Sequence, residues 1–109
     1  MEKSSLTALG RELLASARTK GSGRSARTVY GGHERVLRQT VIALTAGSTL
    51  DEHENPGEAT LHVLSGRLLL KAGEVCWEGS PGDHLVVPQL RHSVEALEDT
   101  AFLLTVAKL

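Results

Sequence analysis

From Thr28 to the carboxyl end, turn residues at close intervals cut the chain into short β-branched and leucine-rich runs. The turn signals are Gly31-Gly32, Gly47, Pro56-Gly57, Ser65-Gly66, Ala72-Gly73, Gly79-Ser80-Pro81-Gly82 and Glu98-Asp99. This punctuation predicts strands at 35–45, 59–64, 67–71, 75–78, 85–87, 93–97 and 102–107. Short strands at that spacing, with no long helical pattern between them, predict an all-β barrel or sandwich and make a parallel α/β sheet a poor fit. Several runs are apolar on both parities, as in Val41-Ile42-Ala43-Leu44 and Leu68-Leu69-Leu70. Such strands need their outer face covered too, by a helix or by a partner chain.

Residues 4–18 carry a different period. Leu6, Leu9, Leu13, Leu14 and Ala17 recur at helical spacing, Ser4 or Ser5 can cap the amino end, and Gly10 weakens the helix modestly. Arg18 and Lys20 suit the carboxyl end of the dipole, and Gly21-Ser22-Gly23-Arg24-Ser25 stops the helix. One amphipathic helix cannot bury its stripe alone, so it must pack on the body of the domain or on a second subunit. The expected organisation is a helix and linker at 1–27 followed by a β-barrel domain at 28–109.

A chain of 109 residues makes one domain, and its net charge of -1 argues against nucleic acid as the main partner. The six basic groups of the first 28 residues read as a solvated tail, because no aromatic side chains interleave them. The single cysteine, Cys76, excludes an intramolecular disulfide framework and a cysteine-rich zinc site; beside Trp77 it reads as a buried, inert thiol. No apolar run approaches membrane-spanning length and no secretory signal opens the chain, which predicts a cytoplasmic protein without a membrane partner. With one each of Trp, Tyr and Phe, the interior must be mainly aliphatic, and it can close as solid core or enclose a pocket. Trp77 and Tyr30 read as core or interface anchors.

The stretch from Gly47 to Gly66 holds His53 two residues before Asn55, then Pro56-Gly57, Glu58, Ala59 and a β-branched/leucine run. Further on, Gly82-Asp83-His84-Leu85-Val86-Val87-Pro88 leads into Gln89-Leu90-Arg91-His92. Together these resemble the two motifs of the cupin superfamily. The first motif is Gly, five residues, His-x-His, three or four residues, Glu, six residues, Gly; Gly47, His53 and Gly66 match it in register. The second is Gly, five residues, Pro-x-Gly, two residues, His, three residues, Asn; Gly82 and Pro88 match it, and His92 stands one residue early. The resemblance covers roughly residues 35–107. It implies a jelly-roll barrel (double-stranded β-helix), here preceded by the amphipathic helix.

The resemblance also implies a metal held by both histidines and the glutamate of the first motif and the histidine of the second. This chain departs from that set. Asn55 replaces one histidine, Ala59 stands at the glutamate position, Leu90 replaces the second-motif glycine, and Ala96 replaces its asparagine. An asparagine carbonyl is a weak donor, so His53, Asn55 and His92 make at best a weak site for Fe, Mn, Ni or Zn. Glu58 could be recruited as a further ligand through a bulge at Pro56-Gly57, and His33 or His84 could reach the barrel mouth. Parity speaks against Glu58 and His62: if Ala59, Leu61 and Val63 face inward, both face out. Arg38 is either a solvated surface residue or an anion hook in the pocket. Two readings stay open: a small-molecule-binding or sensory and accessory cupin without a full metal site, and a metal-dependent dioxygenase or isomerase using His53, His92 and a third ligand. Either is compatible with a homodimer.

Overall fold

A computed structural model describes residues 2–53 and 57–108, with backbone only at 52 and 53. One helix, α1 (Leu6–Arg18), precedes nine strands: β1 (Arg24–Tyr30), β2 (Leu37–Leu44), β3 (Thr49–His53), β4 (Gly57–Ser65), β5 (Leu68–Ala72), β6 (Val75–Gly79), β7 (His84–Val87), β8 (His92–Ala96) and β9 (Thr100–Lys108). They form a five-stranded sheet in the order β1-β2-β9-β4-β7 and a four-stranded sheet in the order β3-β8-β5-β6. All the pairings are antiparallel. No consecutive strands pair except β1 with β2 and β5 with β6, which is the interleaved connectivity of a jelly roll.

The predicted runs all become strands, and two strands went unread. β1 lies where a linker was expected: Arg24 to Arg27 pair with Leu44 to Val41, so strand structure begins before position 28. Its Arg-Ser-Ala-Arg sequence has no apolar alternation because β1 is an edge strand beside the helix. β3 went unread because Asp51, Glu52 and His53 give it little strand character beyond Leu50.

Alternation sorts the side chains into two cores. Facing inward are Ile42 and Leu44 of β2, Phe102 of β9, Ala59, Leu61 and Val63 of β4, Leu85 and Val87 of β7, and Leu68, Leu70, Val94 and Ala96 of the smaller sheet. Phe102 is the largest fully buried side chain. On the outer face of the larger sheet, Val41, Ala43 and Ala101 meet Leu9, Leu13, Leu14 and Ala17 of α1. The helix stripe is therefore satisfied within the chain. Ser5 caps it, accepting from the Ala8 N–H at 3.2 Å. Gly10 permits close approach, since a Cβ there would lie 3.3 Å from that of Ala101.

Two expectations about side chains are corrected. Cys76 is exposed, because β6 is a sheet edge and Cys76 alternates with the inward positions Val75 and Trp77. Of the core and interface readings of Trp77 and Tyr30, the core one is corrected: they are 45% and 42% exposed, each on an edge strand, with the Arg35 guanidinium 5.9 Å from the Tyr30 ring centre.

The turn between β8 and β9 ties helix and barrel together. Asp99 accepts from the Ala46 N–H and from Arg18 Nε, each at 2.9 Å. The Ala46 bond chiefly, then Arg18, holds the Asp99 carboxyl below its ordinary value of 3.8. Next to it, the buried Thr100 hydroxyl lies 2.7 Å from the Glu98 carbonyl and 2.8 Å from that of Arg67, and accepts from the Arg67 N–H at 3.1 Å. Gly66 passes over this cluster at φ 80°, where a Cβ would strike the Asp99 carbonyl oxygen and lie 2.6 Å from Thr100 Oγ1.

Gly66→Ala is therefore expected to cost about 2–4 kcal/mol, from the left-handed backbone and the clash with main chain, as read by urea denaturation. Asp99, with a lowered native pKa, contributes stability that is complete above its ordinary value and lost as pH falls through the native one. Asp99→Asn should cost about 0.5–1 kcal/mol at neutral pH, since the carboxylate is partly solvated. It should also flatten the decline in urea midpoint below pH ~4; an unchanged acid limb would remove Asp99 from that role.

Candidate functional site

At one end of the barrel, β2 begins, β9 ends, β3 leads into β4 and β7 leads into β8, so the mouth is made of strand ends from both sheets. Registers define its inward rim. Across the larger sheet, Arg38 pairs with Val106, Val106 with Ala59, and Ala59 with Val87. Across the smaller sheet, His53 pairs with His92, His92 with Ala72, and Ala72 with Val75. The two sheets pack face to face, so both rows border the space between them at that end of the barrel. One row deeper, Thr28 and Thr40 place their hydroxyl oxygens 3.3 Å apart. Leu104, Leu61 and Leu85 continue that row as solid core.

His92 is the best defined polar group of the rim. It opens the inward row His92, Val94, Ala96 of β8, is 3% exposed, and has Nδ1 3.0 Å from the Leu90 carbonyl oxygen. That contact favours the tautomer with a proton on Nδ1 and orients the ring. Its one-residue displacement from the motif is absorbed in the segment between Pro88 and Arg91, because the parity of β8 decides its direction. A histidine at position 93 would alternate outward with Ser93 and Glu95. Pro88 directly follows the last residue of β7, where a missing N–H costs the ladder nothing.

The other candidates distribute as follows. The backbone of His53 stands opposite His92, on the neighbouring strand. Asn55 lies outside the described residues. Arg38 sits on the inward parity of β2 and is exposed at the rim. Glu58 is exposed and alternates outward, opposite Ala107; β4 keeps unbroken register with β9 from Gly57 to Val63, so no bulge turns Glu58 inward. His62 and His84 are exposed and face one another as cross-strand neighbours on the outer face. His33 is exposed in the connection between β1 and β2.

Ala59 is 4% exposed, between Val87 and Val106 on the inward row. Where the family resemblance implies an anionic ligand, the wall is thus hydrocarbon. Among the described residues, no group of three His, Cys, Asp or Glu side chains could hold a metal ion. Among the described side chains, the rim offers one buried imidazole, a wall of valine and alanine, and the Arg38 guanidinium, and of these only the imidazole is a metal donor. Sequence reasoning missed Ala72, Val75 and Val106 as rim residues and the inward aspect of Trp77, because only the strand pairing shows which parity is inward.

Solved structures share this architecture. A cupin of the RmlC-like type from Desulfovibrio desulfuricans matches with a TM-score of 0.75 at 24% identity, over 98% of this chain and 97% of that one. A conserved protein of unknown function from Streptococcus pyogenes matches with a TM-score of 0.74 at 26% identity, over 83% and 78%. A cupin superfamily protein from Desulfitobacterium hafniense gives a TM-score of 0.74 at 15% identity, over 84% and 83%. No family model matches the sequence, and neither does a curated protein.

Replacing Ala59 by a charged side chain checks the geometry of the rim. Ala59→Glu should destabilise the metal-free protein by about 2–4 kcal/mol, because the carboxylate enters an apolar wall without a partner. Unchanged urea stability in the presence of a chelator would place position 59 outside the interior.

Proposed function

Because the chain has the fold of the cupin superfamily, we propose that it is a small single-domain cupin that binds a small molecule at the barrel mouth, in a sensory or accessory role, without a complete metal centre. The observation that carries this reading is the buried Ala59 on the inward row, with Val87 and Val106 beside it, at the position of the implied carboxylate ligand. The mouth keeps polar groups suited to orienting a ligand, His92 and Arg38, beside apolar groups suited to holding one. Fold by itself assigns no ligand, since one barrel hosts many functions.

The alternative is a metal-dependent cupin enzyme using His53, His92 and a recruited third ligand. Its support is that His53 and His92 are register partners on adjacent strands. Glu58, the carboxylate named for recruitment, faces outward. The proposal also includes a cytoplasmic setting, with no nucleic-acid or membrane partner. In support, the charge is nearly balanced, and among the described residues no helix is long and apolar enough to cross a membrane. A homodimer belongs to the proposal as well. The helix stripe no longer argues for it, but Tyr30, Leu37 and Val86 leave exposed apolar surface on the outer sheet face beyond the helix. Sedimentation at micromolar concentration should give a dimer mass, and a monomer removes that part.

Elemental analysis of untagged protein decides between the two main readings. The expected result is less than about a tenth of a metal per chain, with no rise in melting temperature on adding Fe, Mn, Ni or Zn. Stoichiometric metal that stabilises the fold would overturn the proposal in favour of the enzyme. A thermal-shift screen of neutral sugars and small amides then tests for ligand binding independently of charge.

A further inference from the structure

We propose that the ligand taken at the mouth is a small organic anion, a carboxylate carrying an apolar body, with Arg38 as its charge partner; this rests on the small-molecule reading above. The argument starts from the order of strands. In the larger sheet, β1 and β2 lie at one edge and β7 at the other; in the smaller sheet, β3 and β8 lie at one side and β5 and β6 at the other. Ala26 and Ile42 line a common depression with Leu50, so the β1–β2 edge meets β3. Trp77 and Leu85 line another, so β6 meets β7. The rim is therefore polarised. One side carries Arg38 and His92, with the Thr28 and Thr40 hydroxyls behind Arg38; the other carries Val87, Val75 and Ala72.

Arg38 has the inward parity of Ile42 and Leu44, and it makes no hydrogen bond or ion pair among the described residues. A guanidinium is permanently charged and offers a planar fork of donors that matches a carboxylate. Along the same inward row, Val106, Ala59 and Val87 supply no carboxylate that would compete with an anionic ligand. Glu58 is exposed on the outward row, and Asp51 is exposed as well. The polar side thus takes a negative head, and the valine and alanine side takes hydrocarbon.

The test uses pairs of equal shape and different charge, benzoate with benzamide and acetate with acetamide, titrated into the full chain. Binding is read from backbone amide shifts at Arg38, Thr40, His92 and Val106. Benzoate should perturb these residues saturably and bind about tenfold or more tightly than benzamide, with acetate weaker for want of an apolar body. Arg38→Gln should reduce benzoate affinity by about tenfold with unchanged urea stability, and Arg38→Lys should restore part of it. If acid and amide bind equally, or Arg38→Gln leaves benzoate binding unchanged, the anion assignment is overturned while small-molecule binding stands. If no acid perturbs the rim, the assignment is likewise overturned, and the screen of neutral compounds decides the broader reading.

Discussion

Burial of the larger sheet on both faces is the constraint from which the rest of the structure follows. Strands β2 and β9 carry apolar side chains on both parities: Ile42, Leu44 and Phe102 enter the barrel, while Val41, Ala43 and Ala101 lie under α1. Reversing either strand's register by one residue would exchange the two sets, and each would meet the wrong surface. With both faces occupied, the register is determined, and it carries every inward row of the mouth with it. The helix is therefore part of the barrel's packing and not an appendage. Asp99 reinforces the link, joining Arg18 at the helix end to the Ala46 N–H of the β2–β3 connection.

The interior divides along its length. Around Phe102, aliphatic side chains close the barrel into solid core, as the scarcity of aromatic residues allows. Toward the mouth, the same alternation that buries Leu61 and Leu104 places Arg38, His92 and Ala59 on the inward rim. That rim combines an oriented imidazole with a hydrocarbon wall.

Much of the fold was legible in the one-dimensional pattern because turn residues and β-branched runs act locally. Gly66 illustrates this: the chain needs a positive φ there, and the residue declares it. β1 and β3 were illegible for a related reason. Arg24-Ser25-Ala26-Arg27 and Asp51-Glu52-His53 have little intrinsic strand preference, and they are strands because β2 and β8 supply partners for their backbones. Cys76 shows the opposite case. Its apolar neighbours suggested burial, but an edge strand leaves one of its faces in solvent.

What the sequence determined by itself is the existence of a turn-rich β-barrel with an amphipathic helix, the two motif segments, and the absence of a carboxylate at position 59. Composition and period decide these because each depends on residues near one another along the chain. Only the tertiary structure decided that the helix stripe is satisfied within the chain and that Glu58 faces out. It alone set His92 inward despite its shifted spacing and brought Arg38 to the same rim. Those outcomes depend on which strand lies beside which, and pairing between positions as distant as Arg38 and Val106 leaves no local trace in the sequence.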